Sequence, residues 1–180
     1  SQCYQRGLGV DDNEKQALEW ETKAAEAGDA SSIYNIALYY RFGHLHIQKN
    51  PAKAHEMLHQ AAEKGSSHAV MSLGEMHEQG EGTKVDLEEA FRLYQLAAER
   101  GNSYAQYMVA ACLQKGKGTA QNLEEAIDWL KQAADGGVSD AQFTLGSCYF
   151  EGEGMAKDPN KAVEYWILSA AQGHPNAQYF

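Results

Sequence analysis

A pair of small residues followed by a glycine recurs down this chain: Ala24-Ala25…Gly28, Ala61-Ala62…Gly65, Ala97-Ala98…Gly101, Ala133-Ala134…Gly137 and Ser169-Ala170…Gly173. The intervals between those glycines are 37, 36, 36 and 36 residues. A fixed period in this range marks an array of short units, each burying its apolar face only against its neighbours. Such arrays mostly hold other molecules. Residues are therefore read by repeat position, because a motif that looks like chemistry can be one unit's version of a packing pattern.

One unit shows the grammar. After Gly101, the residues Ala105, Val109, Cys112 and Leu113 fall at helical spacing and define a helix A. It is expected to stop at Gly116-Lys117-Gly118, since glycine readily takes the left-handed conformation that ends helices. Asn122 then reads as the N-cap of a helix B, with Glu124 and Glu125 favouring its first turn and Ala126, Ile127, Leu130, Ala133 and Ala134 forming its buried face. The same loop recurs as Gly7-Leu8-Gly9, Gly80-Glu81-Gly82 and Gly152-Glu153-Gly154. Small residues stand nine positions after each repeat glycine, at Ala37, Gly74, Ala110 and Gly146, where they would allow close helix approach. Bulky residues stand mid helix B, at Trp20, Met57, Leu93, Trp129 and Tyr165, and are expected to fill the space between hairpins.

Composition narrows the function classes. Over 180 residues, 43% hydrophobic and 10% aromatic content supports a packed core. A net charge of -10 argues against nucleic acid and against an anionic membrane surface. No apolar run approaches the roughly 18 residues of a membrane span. Both ends cut a repeat open, so the natural protein is expected to continue at one or both of them. Cys3, Cys112 and Cys148 share a slot with Tyr39 and Met76, so they read as packing thiols without a disulfide framework.

The pattern A-x-x-x-L-G-x-x-Y-x-x-G-x-G, then D-x-x-x-A, then A-A-x-x-G resembles the Sel-1-like repeat, a relative of the tetratricopeptide repeat. The unit from Gly137 carries it best, in Ala141, Leu145, Gly146, Tyr149, Gly152, Gly154, Asp158, Ala162, Ala170 and Gly173. The period exceeds the tetratricopeptide's roughly 34 residues. The resemblance implies an all-α, right-handed α-solenoid of antiparallel helical hairpins in about five repeats. Its units would be 28–64, 65–100, 101–136 and 137–172, with partial units at 1–27 and 173–180. It also implies adaptor work. Two features depart from the pattern: the second loop, Gly43-His44-Leu45, lacks its second glycine, and its repeat has one extra residue. That loop should differ in shape, and it reads as drift rather than as a contact. Pro51 after Asn50 suits a helix start.

Residues 55 to 59 read His-Glu-Met-Leu-His, matching the H-E-x-x-H signature of zinc metalloproteases. On a helix His55 and His59 would share a face, Glu56 would be the base, and Glu75, His77 or Glu78 a third ligand. The repeat frame opposes this reading. His55 aligns with Leu18, Phe91, Ile127 and Val163, an apolar slot, and reads as a neutral, partly buried histidine. His59 aligns with Thr22, Gln95, Lys131 and Ile167, and Glu56 with Glu19, Arg92, Asp128 and Glu164, both surface slots. Ala62 and Gly65 also stand where the extended motif needs glycine and histidine. His44, His46, His55 and His59 lie in one repeat and read as unrelated side chains rather than as a metal site. No metal, cofactor or catalytic residue is expected, and the paired glycines lack the G-x-x-x-x-G-K-[ST] form of a phosphate cradle.

In the tetratricopeptide relatives helix A lines a concave face. Placing the core stripe through positions four, eight, eleven and twelve after each repeat glycine leaves positions three, seven, ten and fourteen on the opposite side for a partner. These are Asn35, Leu38, His68, Ser72, Glu75, Tyr104, Met108, Asp140, Thr144 and Ser147. Position six carries Tyr34, Met71, Tyr107, Phe143 and Tyr179, a stripe read as packing against the next hairpin. The expected function is a non-catalytic scaffold binding a protein or peptide. The alternatives are a hydrolase, through H-E-x-x-H or the envelope-directed activity ascribed to cysteine-rich members of the family, and a regulatory array of a larger enzyme.

Overall fold

Each turn of the repeat grammar becomes a helix end. The computed structural model describes residues 8–45 and 47–179. Among these it contains nine α-helices: α1 (Leu8–Glu26), α2 (Ala30–Phe42), α3 (Pro51–Glu63), α4 (Ser67–Gln79), α5 (Leu87–Glu99), α6 (Ser103–Lys115), α7 (Leu123–Asp135), α8 (Ser139–Glu151) and α9 (Pro159–Ala171), followed by a 3-10 turn at Asn176–Tyr179. The even-numbered helices are the A helices and the odd-numbered ones the B helices. The chain forms two compact units, 1–85 with α1 to α4 and 86–180 with α5 to α9. Within each, successive helices pack on one another in chain order.

Polar side chains set where helices begin. Asn50, Asp86, Asn122 and Asp158 each accept the backbone N–H three residues on, capping α3, α5, α7 and α9. Asp29, Ser66 and Asn102 do the same for α2, α4 and α6, while Val138 leaves α8 without a side-chain cap. The expected caps at Asn50-Pro51 and Asn122 are thus in place.

The small pair works at the other end of helix B. The first member's carbonyl accepts the N–H of the residue after the repeat glycine: Asp29 to Ala24, Ser66 to Ala61, Asn102 to Ala97, Val138 to Ala133 and His174 to Ser169, at 3.0–3.2 Å. Ala61, Ala97 and Ala133 are fully buried, so a larger side chain would push apart the helices that meet there.

Helix A packs through more of its surface than the four expected positions. Ala69, Ala105 and Ala141 at position four, Leu73, Val109 and Leu145 at eight, and Met76, Cys112 and Cys148 at eleven are buried. Ile33 and Val70 at position five and Ala37, Gly74, Ala110 and Gly146 at nine join them. The small residues at nine do allow close approach: a Cβ on Gly146 would stand 2.7 Å from the Trp166 ring. On helix B the filled slot lies one residue later than expected. Leu58, Tyr94, Leu130 and Trp166 are buried, whereas Trp20 is 69% exposed and Met57, Trp129 and Tyr165 are half-buried; Leu93 is buried as expected.

The paired-glycine loops do more than end helices. Gly80, Gly116 and Gly152 are left-handed C-caps. Gly82, Gly118 and Gly154 are left-handed too, and they press on the preceding helix B. A Cβ on Gly82 or Gly118 would strike the backbone of Pro51 or Leu87, and one on Gly154 would crowd Leu123 and Ile127. The first loop is different: Leu8 and Gly9 belong to α1, not to a loop. In the second loop Leu45 adopts φ 52°, keeping the left-handed bend without glycine. Its extra residue is absorbed before the helix. The Asn50 N–H reaches Tyr40 C=O at 2.7 Å, where the later loops close from Asn122 to Leu113 and from Asp158 to Tyr149. Gly7, Cys3 and His46 lie outside the described residues.

Two glycines that share a backbone conformation separate strain from crowding. Gly118→Ala meets both a φ of 69° and the Leu87 carbonyl, while Gly101→Ala at φ 82° meets nothing within 4 Å. Urea unfolding should show a loss of about 1–2 kcal/mol for Gly101→Ala and clearly more for Gly118→Ala. Conversely, Leu45→Gly should raise stability by about 1 kcal/mol, by relieving a left-handed leucine; an unchanged urea midpoint would show the bend is unstrained.

Candidate partner-binding surface

The helix-A face of the first unit is tied down from within. Arg41, only 3% exposed at the end of α2, donates from Nη1 to Glu75 Oε2 at 2.7 Å and from Nε to Glu81 Oε2 at 2.9 Å. Lys49 Nζ lies 3.2 Å from the other Glu81 oxygen. Burial opposes the charges of both Arg41 and Glu81, but their mutual hydrogen bonds outweigh it. They hold the guanidinium above, and the Glu81 carboxyl below, its ordinary value. Glu75, expected to face a partner, therefore spends one oxygen on an internal ion pair joining α2 to α4. Asn35 donates to Glu21 Oε1 at 3.0 Å, Leu38 is half-buried, and His68 is exposed with Tyr34 beside its ring.

Ser72 is the one expected surface residue that the structure removes: it is 2% exposed. The reason is angular. At about 100° per residue, position seven stands only about 85° from the middle of the stripe through positions four, eight, eleven and twelve, at its edge, against about 125° or more for positions three and ten. Asn35, Met108 and Thr144 at the same position are half-buried.

In the second unit Tyr104 is 42% exposed on α6, with the Tyr107 ring 5.9 Å away and Met108 one turn further along. On α8, Asp140, Thr144 and Ser147 are half-buried. The Thr144 and Ser147 hydroxyls donate to the Asp140 and Phe143 carbonyls, and His174 Nε2 stands 3.4 Å from Asp140 Oδ1. The position-six side chains reach the following repeat. Tyr34 meets His68, Phe143 stacks on His174 at 4.6 Å, and Tyr107 lies among Asp140 and Thr144, where burial, followed by the Asp140 charge, pushes its hydroxyl pKa up. The Tyr179 side chain lies outside the described residues.

The H-E-x-x-H residues sit on α3 much as their repeat slots require. Glu56 and His59 are exposed and His55 is half-buried. Burial, then the nearby His59 and His77, lowers the His55 pKa and favours its neutral form. Of the three suggested third ligands, His77 comes to His55, with Nε2 to Nε2 at 3.5 Å. Among the described residues no group of three or more His, Cys, Asp or Glu converges as a metal cage. Cys112 and Cys148 are buried free thiols. Burial, then Glu153, pushes Cys148 up to about 11, too high for a thiolate at neutral pH.

One feature was not expected from sequence. An apolar groove of about 450 Å³ in the first unit is lined by Leu18, Ile33, Ile36, Tyr40, Ile47 and Met57, among others. It arises where Met57 and its neighbours leave the space between α1, α2 and α3 partly open, and no periodic pattern marks it.

The profile of the Sel1 repeat matches residues 1–29, 30–66, 67–102, 103–138 and 139–174, nearly the whole chain. The chain belongs to the Sel1 repeat family. A Sel1 repeat protein from Oxalobacter formigenes superposes with a TM-score of 0.81 at 31% identity, over 89% of this chain and 64% of that one. A protective antigen of uropathogenic Escherichia coli with the same fold gives 0.83 at 30%, over 89% of this chain and 34% of that one. Among curated proteins, the ERAD-associated E3 ubiquitin-protein ligase component HRD3A of Arabidopsis thaliana is 30% identical over 80 residues, 44% of this chain and 11% of that protein. This chain thus spans less than two thirds of each. Sel1 repeats generally mediate protein interactions, and the family is typically non-catalytic. No helix among the described residues is long and apolar enough to cross a membrane.

The Arg41 network makes a pH-dependent prediction for this Sel1 array. Arg41→Ala leaves Glu75 and Glu81 without their buried partner and should cost about 3 kcal/mol at pH 7. Because the Glu81 pKa is depressed in the folded state, its contribution is present above the ordinary glutamate range. It is lost as pH falls through the folded value. Urea midpoints of wild type and variant should therefore converge in acid.

Proposed function

We propose that this array is a non-catalytic scaffold that holds a protein or peptide segment on its helix-A surface. The observation that carries the reading is the exposure of Tyr104 beside Tyr107 and Met108 on α6. Tyrosine and methionine bring large contact area, and tyrosine adds a polar tip at low entropic cost, so such residues anchor interfaces. The positions around them vary between repeats, while the fixed positions are spent on packing. Variation at constant architecture suits a surface specialised for one partner. HRD3A is, by its name, a component of a ligase assembly, which agrees with scaffold work.

In the second unit Asp140, Thr144 and Ser147 belong to the same helix-A stripe as Tyr104 and Met108; His68 and Leu38 hold the equivalent positions in the first unit. Ser72 is buried and contributes nothing to it, and Glu75 offers only the part not held by Arg41. The net charge of -10 favours a partner segment carrying basic residues over an acidic one.

Affinity capture followed by mass spectrometry tests this reading. A partner recovered by the wild-type chain should fall at least tenfold with Tyr104→Ala and Met108→Ala combined. It should persist with Glu124→Ala and Lys131→Ala on helix B of the same unit, with unfolding midpoints unchanged throughout. Loss only with the helix-B variants would place the partner on the other face and refute the assignment.

A further inference from the structure

The contact between α3 and α4 is built differently from its counterparts. In the repeat frame, the pair His55–His77 corresponds to Leu18–Tyr40, Phe91–Leu113 and Ile127–Tyr149. Each counterpart pairs an aliphatic or aromatic residue of helix B with one of the next helix A. Here both partners are imidazoles, and they face each other. The pair is also not a good hydrogen bond: at 3.5 Å, Nε2 to Nε2 exceeds the usual 2.7–3.2 Å of N–H donors. It matches instead the edge of a tetrahedron around an ion bound at 2.0–2.1 Å, which is about 3.3–3.4 Å.

A third imidazole stands beside them. His59 shares a helical face with His55 at i, i+4, and their rings lie 4.7 Å apart. His59 is exposed, so its ring is free to turn without disturbing the core. The Nδ1 of His77 is buried without a partner, which leaves Nε2, pointed at His55, as its one usable ligand atom. We propose that His55, His77 and His59 form an exchangeable site for a borderline divalent transition ion, zinc being the representative, with solvent completing the coordination. Three neutral imidazoles suit zinc, copper or nickel and not calcium or magnesium, which take oxygen ligands. The nitrogens are not preassembled, since no three such groups converge, so the ion recruits His59 on binding. Its effect is to clamp α3 to α4. The site adds nothing to the hydrolase reading, because Glu56 plays no part in it.

Metal-stripped protein titrated with zinc chloride tests the site, by calorimetry for stoichiometry and by thermal melting for coupling to the fold. One ion per chain and a rise in Tm of several degrees are expected. His59→Ala, at an exposed position, should weaken binding at least tenfold while leaving the zinc-free Tm unchanged. His55→Phe with His77→Leu installs the residues used in the next repeat, so this variant should fold and should lose the zinc response entirely. His44→Ala should retain it. The proposal is overturned if stripped wild type shows no zinc-dependent shift, or if the shift survives in the His55→Phe/His77→Leu variant.

Discussion

The architecture depends on one close approach: the second glycine of the three later paired-glycine loops against the first turn of the preceding helix B. Gly82 meets Pro51, Gly118 meets Leu87 and Gly154 meets Leu123, backbone to backbone. At Gly82 and Gly118 a Cβ is excluded by contact as well as by φ, so the glycine is required twice over, and at Gly154 it would be crowded. The contact sets how near one hairpin comes to the next. The buried alanines of the small pair and the small residues at position nine then fill the gap that this spacing leaves. Each packing choice follows from the distance that the loops impose.

Much of this was legible in sequence because repetition supplies its own control. A residue found at the same place in four units is structural, and the glycines, caps and alanines could be read that way. Asn122 and the Asn50-Pro51 start were visible as chemistry, since only a side-chain acceptor satisfies the free N–H groups of a first turn. What escaped was phase. Position seven lies at the edge of the buried stripe rather than opposite it, which puts Ser72 inside, and on helix B the filled slot is one residue on from the bulky one, at Leu58 rather than Met57. Contacts between single unusual residues escaped as well. Arg41 has no counterpart at its position, where the other units carry Glu78, Gln114 and Phe150, so no pattern announced its ion pairs.

The candidate surface follows the same division. The place of Tyr104 on the helix points it outward, and it is exposed, while Met108 one turn on is half-buried. Glu75 is placed by the same periodicity but is held by Arg41, 34 residues earlier in the chain and on another helix. Periodicity reports which way a side chain faces; it does not report which neighbour takes hold of it. The histidines lie between these cases. The repeat frame shows that His55 replaces an apolar residue, but only the structure shows that His77 comes to meet it.

The valine that precedes α8 has a consequence of its own. Where Asp29, Ser66 and Asn102 hold an amide proton, Val138 leaves the first turn of α8 to backbone and solvent alone. In an array whose units lean only on their neighbours, opening starts at the least secured end. The amide of Ala141 should accordingly exchange with deuterium sooner than those of Ala69 in α4 and Ala105 in α6, which a side chain holds.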